Sequence, residues 1–444
     1  MLNGIHESAI ASQLAHHDFS CLSHPLLFSI ASSWLSRPDR GARQAANFLW
    51  ACAKVRYPVL AGGIVHDILS SAVLLVDQLD SQQAGSCLWS IATLGLPLSP
   101  GVELIISRTC VLLPQCFAQT AANTLWALAT MKVVDPNIVQ QAVEAAVRVS
   151  GSSLFLPRHA SIVLWSLATL SYNDAQEDSP SLRCLVSVAV SLASSFSPQE
   201  SSNALWAVAS LGITSPAIVD PLLARASFNA ANMETQHIAN CLWALATCNF
   251  HEARSTSFLV LLARAEEQRL FFKPQEIANT LWALGVIGIQ DVVWIKFASS
   301  AVEVSSSFSP RQSLMALWGI ASLSKGEVAQ SLALSLLKCT SAILSNLDSQ
   351  GVVMAFWCVA VLKQTNTQTL LPFLECVISH ADRLSSDQIA RVLWSCCQLS
   401  VGGSAALVFF RAVLQLQTPF LARVAVSILH SAAFLNVSER VLLE

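Results

Sequence analysis

The chain has 444 residues, 53% apolar and only 12% charged, with a formal net charge of −3. Such a composition suits helices that either span a membrane or are buried on several sides. The longest uncharged runs, 81–102 and 109–131, are broken by Pro, Gly, Gln or Ser, so layered soluble helices are the expectation, and the near-neutral balance is not that of a strongly basic nucleic-acid binder.

Residues 1–36 contain Glu7, Asp18 and several His, and no Lys or Arg precedes Arg37. Neither a secretory signal nor an Arg-rich, acid-poor transit peptide is expected there. Ile10-Ala11-Ser12-Gln13-Leu14 echoes Ile277-Ala278-Asn279-Thr280-Leu281, which suggests a degenerate capping repeat over 1–36.

From Arg37 onward one phrase recurs, as NTLWALAT (123–130), NALWAVAS (203–210), NCLWALAT (240–247) and NTLWALGV (279–286). It centres on Trp50, Trp89, Trp126, Trp165, Trp206, Trp243, Trp282, Trp318, Trp357 and Trp394, at intervals of 36 to 41 residues. A fixed period near 38 with one helical phrase is the signature of a solenoid, in which each unit contacts only its neighbours.

The repeat beginning at Phe196 shows the plan. Ser197 is an N-cap, Pro198 suits the first helical position and Glu200 completes a capping box. The first helix, A, runs through Trp206 to Leu211, and Gly212 ends it. After the turn ITSP, a second helix, B, covers about Ala217 to Ala226. Similar starts recur at Phe155-Leu156-Pro157-Arg158, Phe272-Lys273-Pro274-Gln275 and Phe308-Ser309-Pro310-Arg311. The predicted fold is all-α: a right-handed α-solenoid of about eleven helical hairpins over 37–435, A helices on the concave face. Val424 to Phe434 repeats the A pattern with His430 in the tryptophan slot, and 436–444 reads as the start of a further helix.

Seven residues before each tryptophan stand Arg43, Gln82, Gln119, Arg158, Gln199, Gln236, Gln275, Arg311, Gln350 and Asp387, with Arg423 before His430. Three before it stand Asn47, Ser86, Asn123, Ile162, Asn203, Asn240, Asn279, Met315, Met354 and Arg391. Positions four apart share a helix face, so two polar stripes are expected along the array. Gln and Asn present a donor and an acceptor together, which suits base edges. First-turn Arg beside free N–H groups suits phosphates. Two structural alternatives stand beside this: Asn bonding the neighbouring unit's carbonyls, and Gln solvating a helix end. The tryptophans of L-W-A-[LV]-A read as core rather than as a stacking platform, and Trp34 and Trp294 as packing in B helices. Around the aligned tryptophans, Arg43, Lys54, Arg158, Arg311, Arg391 and Arg423 outnumber Glu200, Glu276 and Asp387.

Thirteen cysteines form no C-x-x-C pair, so buried thiols are expected rather than disulfides or zinc. No metalloprotease, nucleophile-elbow, P-loop or dinucleotide motif occurs, and neither enzyme activity nor a cofactor is expected.

The phrase P-Q-E-x-x-N-x-L-W-A-L-A-x-x-G at this period resembles the octotricopeptide repeat. It is also similar to the repeats of RAP-domain proteins and of the mitochondrial FAST-kinase-like family. The resemblance spans about Arg37 to Leu435. It implies an organellar protein, mitochondrial or alternatively plastid, that binds single-stranded RNA or ribosomal RNA fragments in processing, stability or translation. It implies protein partners such as an organellar ribosome, and no DNA. No RAP domain is present in the sequence, so nuclease-like activity is not expected. The rival class is an armadillo or HEAT-like protein scaffold. Armadillo repeats place Asn four residues after the tryptophan, whereas Lys54, Thr93, Thr130, Thr169, Ser210, Thr247, Val286, Ser322, Val361 and Gln398 stand there.

Overall fold

The computed structural model describes residues 4–16, 23–57, 63–172, 179–249, 255–289, 291–323, 327–402, 404–416 and 421–435. The helix expected to begin at 436 lies outside them. The described residues form 23 α-helices and no strand, as the period and phrase predict. Among the described residues no helix is long and apolar enough to cross a membrane. The chain divides into two compact units, Met1–Asn229 and Ala230–Glu444.

In the first unit the A helices are Gly4–His16, Ala42–Lys54, Ser81–Leu94, Ala118–Met131, Pro157–Thr169 and Pro198–Ser210. The B helices between and after them are Ser23–Leu35, Ile64–Leu74, Pro100–Leu112, Pro136–Ser150, Pro180–Leu192 and Pro216–Asn229. In the second unit the A helices are Thr235–Thr247, Pro274–Ile287, Pro310–Leu323, Ser349–Val361, Ser386–Leu399 and Ala422–Phe434. Their B helices are Thr256–Glu267, Val292–Glu303, Glu327–Ser341, Thr367–Ser379 and Ser404–Gln415. Within each unit A packs on the next A and B on the next B, the two-layer stacking of a solenoid.

Local sequence explains where each A helix starts and stops. The backbone N–H of Ser197 donates to Glu200 Oε2 (2.7 Å) and that of Glu200 to Ser197 Oγ (3.3 Å), the capping box expected there. Gln44, Gln83, Glu276, Gln312 and Gln388 accept the same backbone bond in their repeats. Six residues after the tryptophan the chain turns left-handed: Gly95, Gly212 and Gly288, but also Arg56, Lys132, Ser171, Asn249, Lys363 and Ser400. The N–H of Leu96 then donates to Ile91 O and that of Gly95 to Ala92 O, a Schellman closure that satisfies the last carbonyls.

The core lies between the layers. Residues just before the tryptophan, such as Leu125, Leu205, Leu281 and Phe356, and two after it, such as Leu128, Val208, Leu284 and Val359, are buried. Each such side chain stabilises the fold by about 1.5–3 kcal/mol. The residue following each tryptophan is small and buried (Ala127, Ser166, Ala207, Ala244, Gly319, Ser395), so neighbouring A helices approach closely. B helices are stapled by arginine: Arg108 Nη2 donates to Leu79 O (3.0 Å) and Arg225 Nε to Phe196 O (2.7 Å). These guanidiniums satisfy carbonyls in the preceding turns and serve the fold.

Trp34 and Trp294 are 0% and 2% exposed, the packing residues expected. The cysteines at helix core positions behave likewise. Burial pushes the thiols of Cys52, Cys87, Cys241 and Cys396 up to about 12, which keeps them protonated and inert. Among the described residues no disulfide partner and no metal-holding cluster occurs.

Candidate nucleic-acid interface

The A helices carry the recurring residues on one face. Counting from the tryptophan, positions −7, −3, 0 and +4 repeat the 4-3-4 spacing of a single helical stripe over three turns. Everything on this stripe reaches solvent, at least in part.

Position −7 is the second residue of every A helix from Ala42–Lys54 onward. Arg43, Gln82, Gln119, Arg158, Gln199, Gln236, Gln275, Arg311, Gln350, Asp387 and Arg423 are all exposed. The capping bond falls to the next residue along, as with Glu200 beside Gln199 and Glu276 beside Gln275. Helix capping therefore does not account for the column. Four members are tied down between repeats, two of them to each other: Arg423 Nη2 lies 3.5 Å from Asp387 Oδ1. Gln119 donates to Asn123 Oδ1 (2.7 Å) and accepts from His159 Nε2 (3.1 Å), and Gln350 accepts from Gln388 Nε2 (2.8 Å). Gln82, Gln199, Gln236 and Gln275 make no such bond among the described residues.

Position −3 is half-buried at Asn47, Asn123, Asn203, Asn240 and Asn279, and exposed at Arg391. The ladder from Asn to a neighbour's backbone carbonyl is not formed among the described residues; Asn123 bonds Gln119 within its own helix. At +4, Thr93, Thr169, Thr247 and Ser322 donate to the carbonyl of their own tryptophan at 2.8 or 2.9 Å. Those hydroxyls are spent locally.

The tryptophans correct the core expectation. Position 0 lies on the solvent stripe, so nine of the aligned rings are half-buried and Trp394 is 37% exposed. The L-W-A-L-A phrase buries its leucines and alanines and leaves the indole at the edge. In the second unit the rings form a row: Trp243–Trp282 at 6.1 Å between centroids, Trp282–Trp318 at 6.2 Å, Trp318–Trp357 at 6.1 Å and Trp357–Trp394 at 6.5 Å. In the first unit Trp89 meets Trp126 at 6.2 Å and His16 meets Trp50 at 5.0 Å. Each ring of the row meets its neighbour and still reaches solvent in part. The signal for this lay in the sequence, in the 4-3-4 spacing that places the indole beside the polar columns.

Electrostatics favour an anion along the stripe. Arg43, Lys54, Arg158, Arg311, Arg391 and Arg423 lie on it against one carboxylate, Asp387. Glu200 and Glu276 are consumed by capping. A chain that is net negative thus turns a cationic face outward at its A helices.

His159 replaces the usual capping Gln or Glu and accepts from Leu156 N–H at Nδ1 (3.1 Å). Burial first, and the Arg158 guanidinium second, push its imidazole down to about 4. Burial also lowers His237, which accepts from Glu234 N–H at Nδ1 (3.2 Å). Only the neutral ring caps. A lowered folded value means that the contribution is complete above the unfolded value, about 6.5, and fades as pH falls from there toward 4. His159→Gln with His237→Gln should therefore show a smaller loss of melting temperature from pH 7 to pH 5 than the wild type. An equal loss in both would mean that the caps do not titrate.

Fold and face together define a two-layer helical repeat protein with an aromatic, amide-rich and cationic stripe. The family described as RNA-editing substrate-binding complex 6 protein matches residues 42–253, somewhat less than half of the chain. No curated protein matches. Among solved structures, a homology model of the full-length AP-3 complex in an intermediate open conformation is 10% identical, covering 97% of this chain and 84% of that one, at a TM-score of 0.33. A circular tandem repeat protein with novel repeat topology and enhanced subunit contact surfaces is 11% identical, covering 99% and 89%, at 0.18. At such scores neither likeness bears on function.

Proposed function

We propose that this chain binds RNA through the exposed stripe of its A helices and acts as a scaffold within an organellar ribonucleoprotein. The compartment is the mitochondrion, with the plastid as the alternative. The RNA is single-stranded or a ribosomal RNA fragment, and its protein partners include those of an organellar ribosome or a comparable assembly. The chain holds RNA without chemistry or cofactor. Arg43, Arg158, Arg311, Arg391 and Arg423 contact phosphates. Gln82, Gln119, Gln199, Gln236, Gln275 and Gln350, with Asn47, Asn123, Asn203, Asn240 and Asn279, lie nearer the bases, which rest against indole edges.

The observation that carries this reading is the coincidence on one face of exposed Gln and Arg, half-buried Asn and half-exposed Trp, repeat after repeat. Arg43 and Arg311 have no side-chain partner among the described residues, while Gln44 and Gln312 beside them do the capping, so a structural role does not account for these cations. The match over 42–253 supports it, because that family is named for a complex that binds RNA-editing substrates.

Purified protein should carry nucleic acid, seen as a raised 260/280 nm absorbance ratio that ribonuclease abolishes. Changing Gln199, Gln236 and Gln275 to Ala should then shift sequence preference while leaving the salt dependence of binding nearly unchanged. A ratio indifferent to ribonuclease, together with no affinity for any single-stranded RNA, would hand the stripe to a peptide ligand.

A further inference from the structure

We propose that the cavity at the stripe's far end in the second unit takes one guanine base of the bound strand. The base stacks on Trp394 and sets its Watson–Crick edge on Asp387, while Arg391 and Arg423 hold the flanking phosphates. The proposal rests on the RNA reading above and adds a site of base choice to it.

Two columns break their pattern in the same repeat. Asp387 is the only carboxylate among the Gln and Arg of position −7, and Arg391 the only cation among the Asn, Ser, Ile and Met of position −3. That repeat also bears Trp394, the most exposed ring of the row, at the row's widest spacing, 6.5 Å from Trp357. Together they line a cavity of about 250 Å3 whose walls also include Trp357, Arg423 and Ser427, with Ala390 and Val424 as the apolar part. That is below the ~300–1,000 Å3 of sites for drug-sized molecules and suits a single base.

The chemistry picks the base. An ionised carboxylate only accepts, through two oxygens. Guanine alone presents two neighbouring donors, N1–H and the N2 amino group, on its Watson–Crick edge. Adenine and cytosine set a ring-nitrogen acceptor beside their amino group, and uracil flanks its one N–H with two carbonyls, so each turns a lone pair toward Asp387. The Gln residues elsewhere in the column carry donor and acceptor in one amide and cannot impose this choice. Asp387 Oδ1 lies 3.5 Å from Arg423 Nη2, with the two side chains 52% and 77% exposed. An ion pair so open is worth little and yields readily to a ligand. Displacement would leave the carboxylate to the base and the guanidinium to a phosphate.

The test compares a uridine oligonucleotide with the same oligonucleotide carrying one guanosine, on the full chain. The guanosine should tighten binding about tenfold, within the discrimination typical of a bidentate base contact. One adenosine in its place should not. Asp387→Asn should erase the guanosine preference without changing the melting temperature, since the side chain is exposed. Arg391→Gln should weaken both oligonucleotides alike, and Trp394→Phe should keep the preference that Trp394→Ala loses. A preference intact in Asp387→Asn, or absent from a wild type that still binds the uridine strand, overturns the guanine site and leaves the RNA reading standing. A wild type that binds neither strand at any salt overturns both.

Discussion

Replacing Arg43, Arg158, Arg311 and Arg423 together with Ala is expected to lower affinity for single-stranded RNA about a hundredfold at physiological salt. Each phosphate contact contributes about 0.7 to the log–log salt slope, so four contribute about 2.8. Carried from 1 M salt down to 0.15 M, that slope is worth about two powers of ten. All four side chains are exposed at the second position of their helices, where Ala costs the fold little. Arg225→Ala is the informative contrast. It removes the bond to Phe196 O, so it should cost stability and leave the slope alone. Affinity against salt for both variants checks this. If the fourfold variant keeps the wild-type slope, phosphates do not lie along this column.

Gly319→Ala is expected to destabilise the second unit by about 3 kcal/mol, at the upper end of ordinary overpacking. A Cβ there would stand 2.3 Å from the carbonyl oxygen of Leu281 and 2.9 Å from the backbone nitrogen of Trp282. Both obstacles are main chain, so no rotamer change relieves them. The helices Pro274–Ile287 and Pro310–Leu323 must separate, which also parts Trp282 from Trp318. Because such arrays are held by nearest-neighbour interfaces, the adjoining repeats should melt with them. Gly402→Ala, where nothing lies within 4 Å, should stay within about 0.5 kcal/mol of wild type. Chemical denaturation followed by circular dichroism measures both. Equal midpoints for Gly319→Ala and wild type would show that the helices are not so closely held.

The site was only partly legible in the sequence. The −7 and −3 columns could be read because polar residues recurring in an apolar chain are conspicuous. The reading of tryptophan as core failed for a physical reason. A large apolar ring inside a greasy phrase is usually buried, yet the stripe through −7 and −3 passes through position 0 as well. The capping role of Gln44, Gln83, Gln312 and Gln388 was hidden because Gln stands at both the second and third helical positions. Only geometry separates the residue that closes the helix from the one left to solvent.

The repeat, the all-helical fold and the helix ends could be read from the chain alone. The repeat follows from the period near 38, and the helix ends from local signals: Ser or Asp N-caps with a partner three residues on, and, among the described residues, a left-handed residue six after the aligned tryptophan. Each helix end is written within a dozen residues and needs no distant partner. Tertiary structure decided which side of each A helix stays open, because that depends on what the neighbouring A and B helices cover. It separated the arginines bonded to carbonyls, such as Arg108 and Arg225, from those with no side-chain partner among the described residues, such as Arg43 and Arg311. It also gathered Asp387, Arg391, Trp394 and Arg423 around one cavity, since residues about 36 apart in the chain become neighbours only when one repeat stacks on the next.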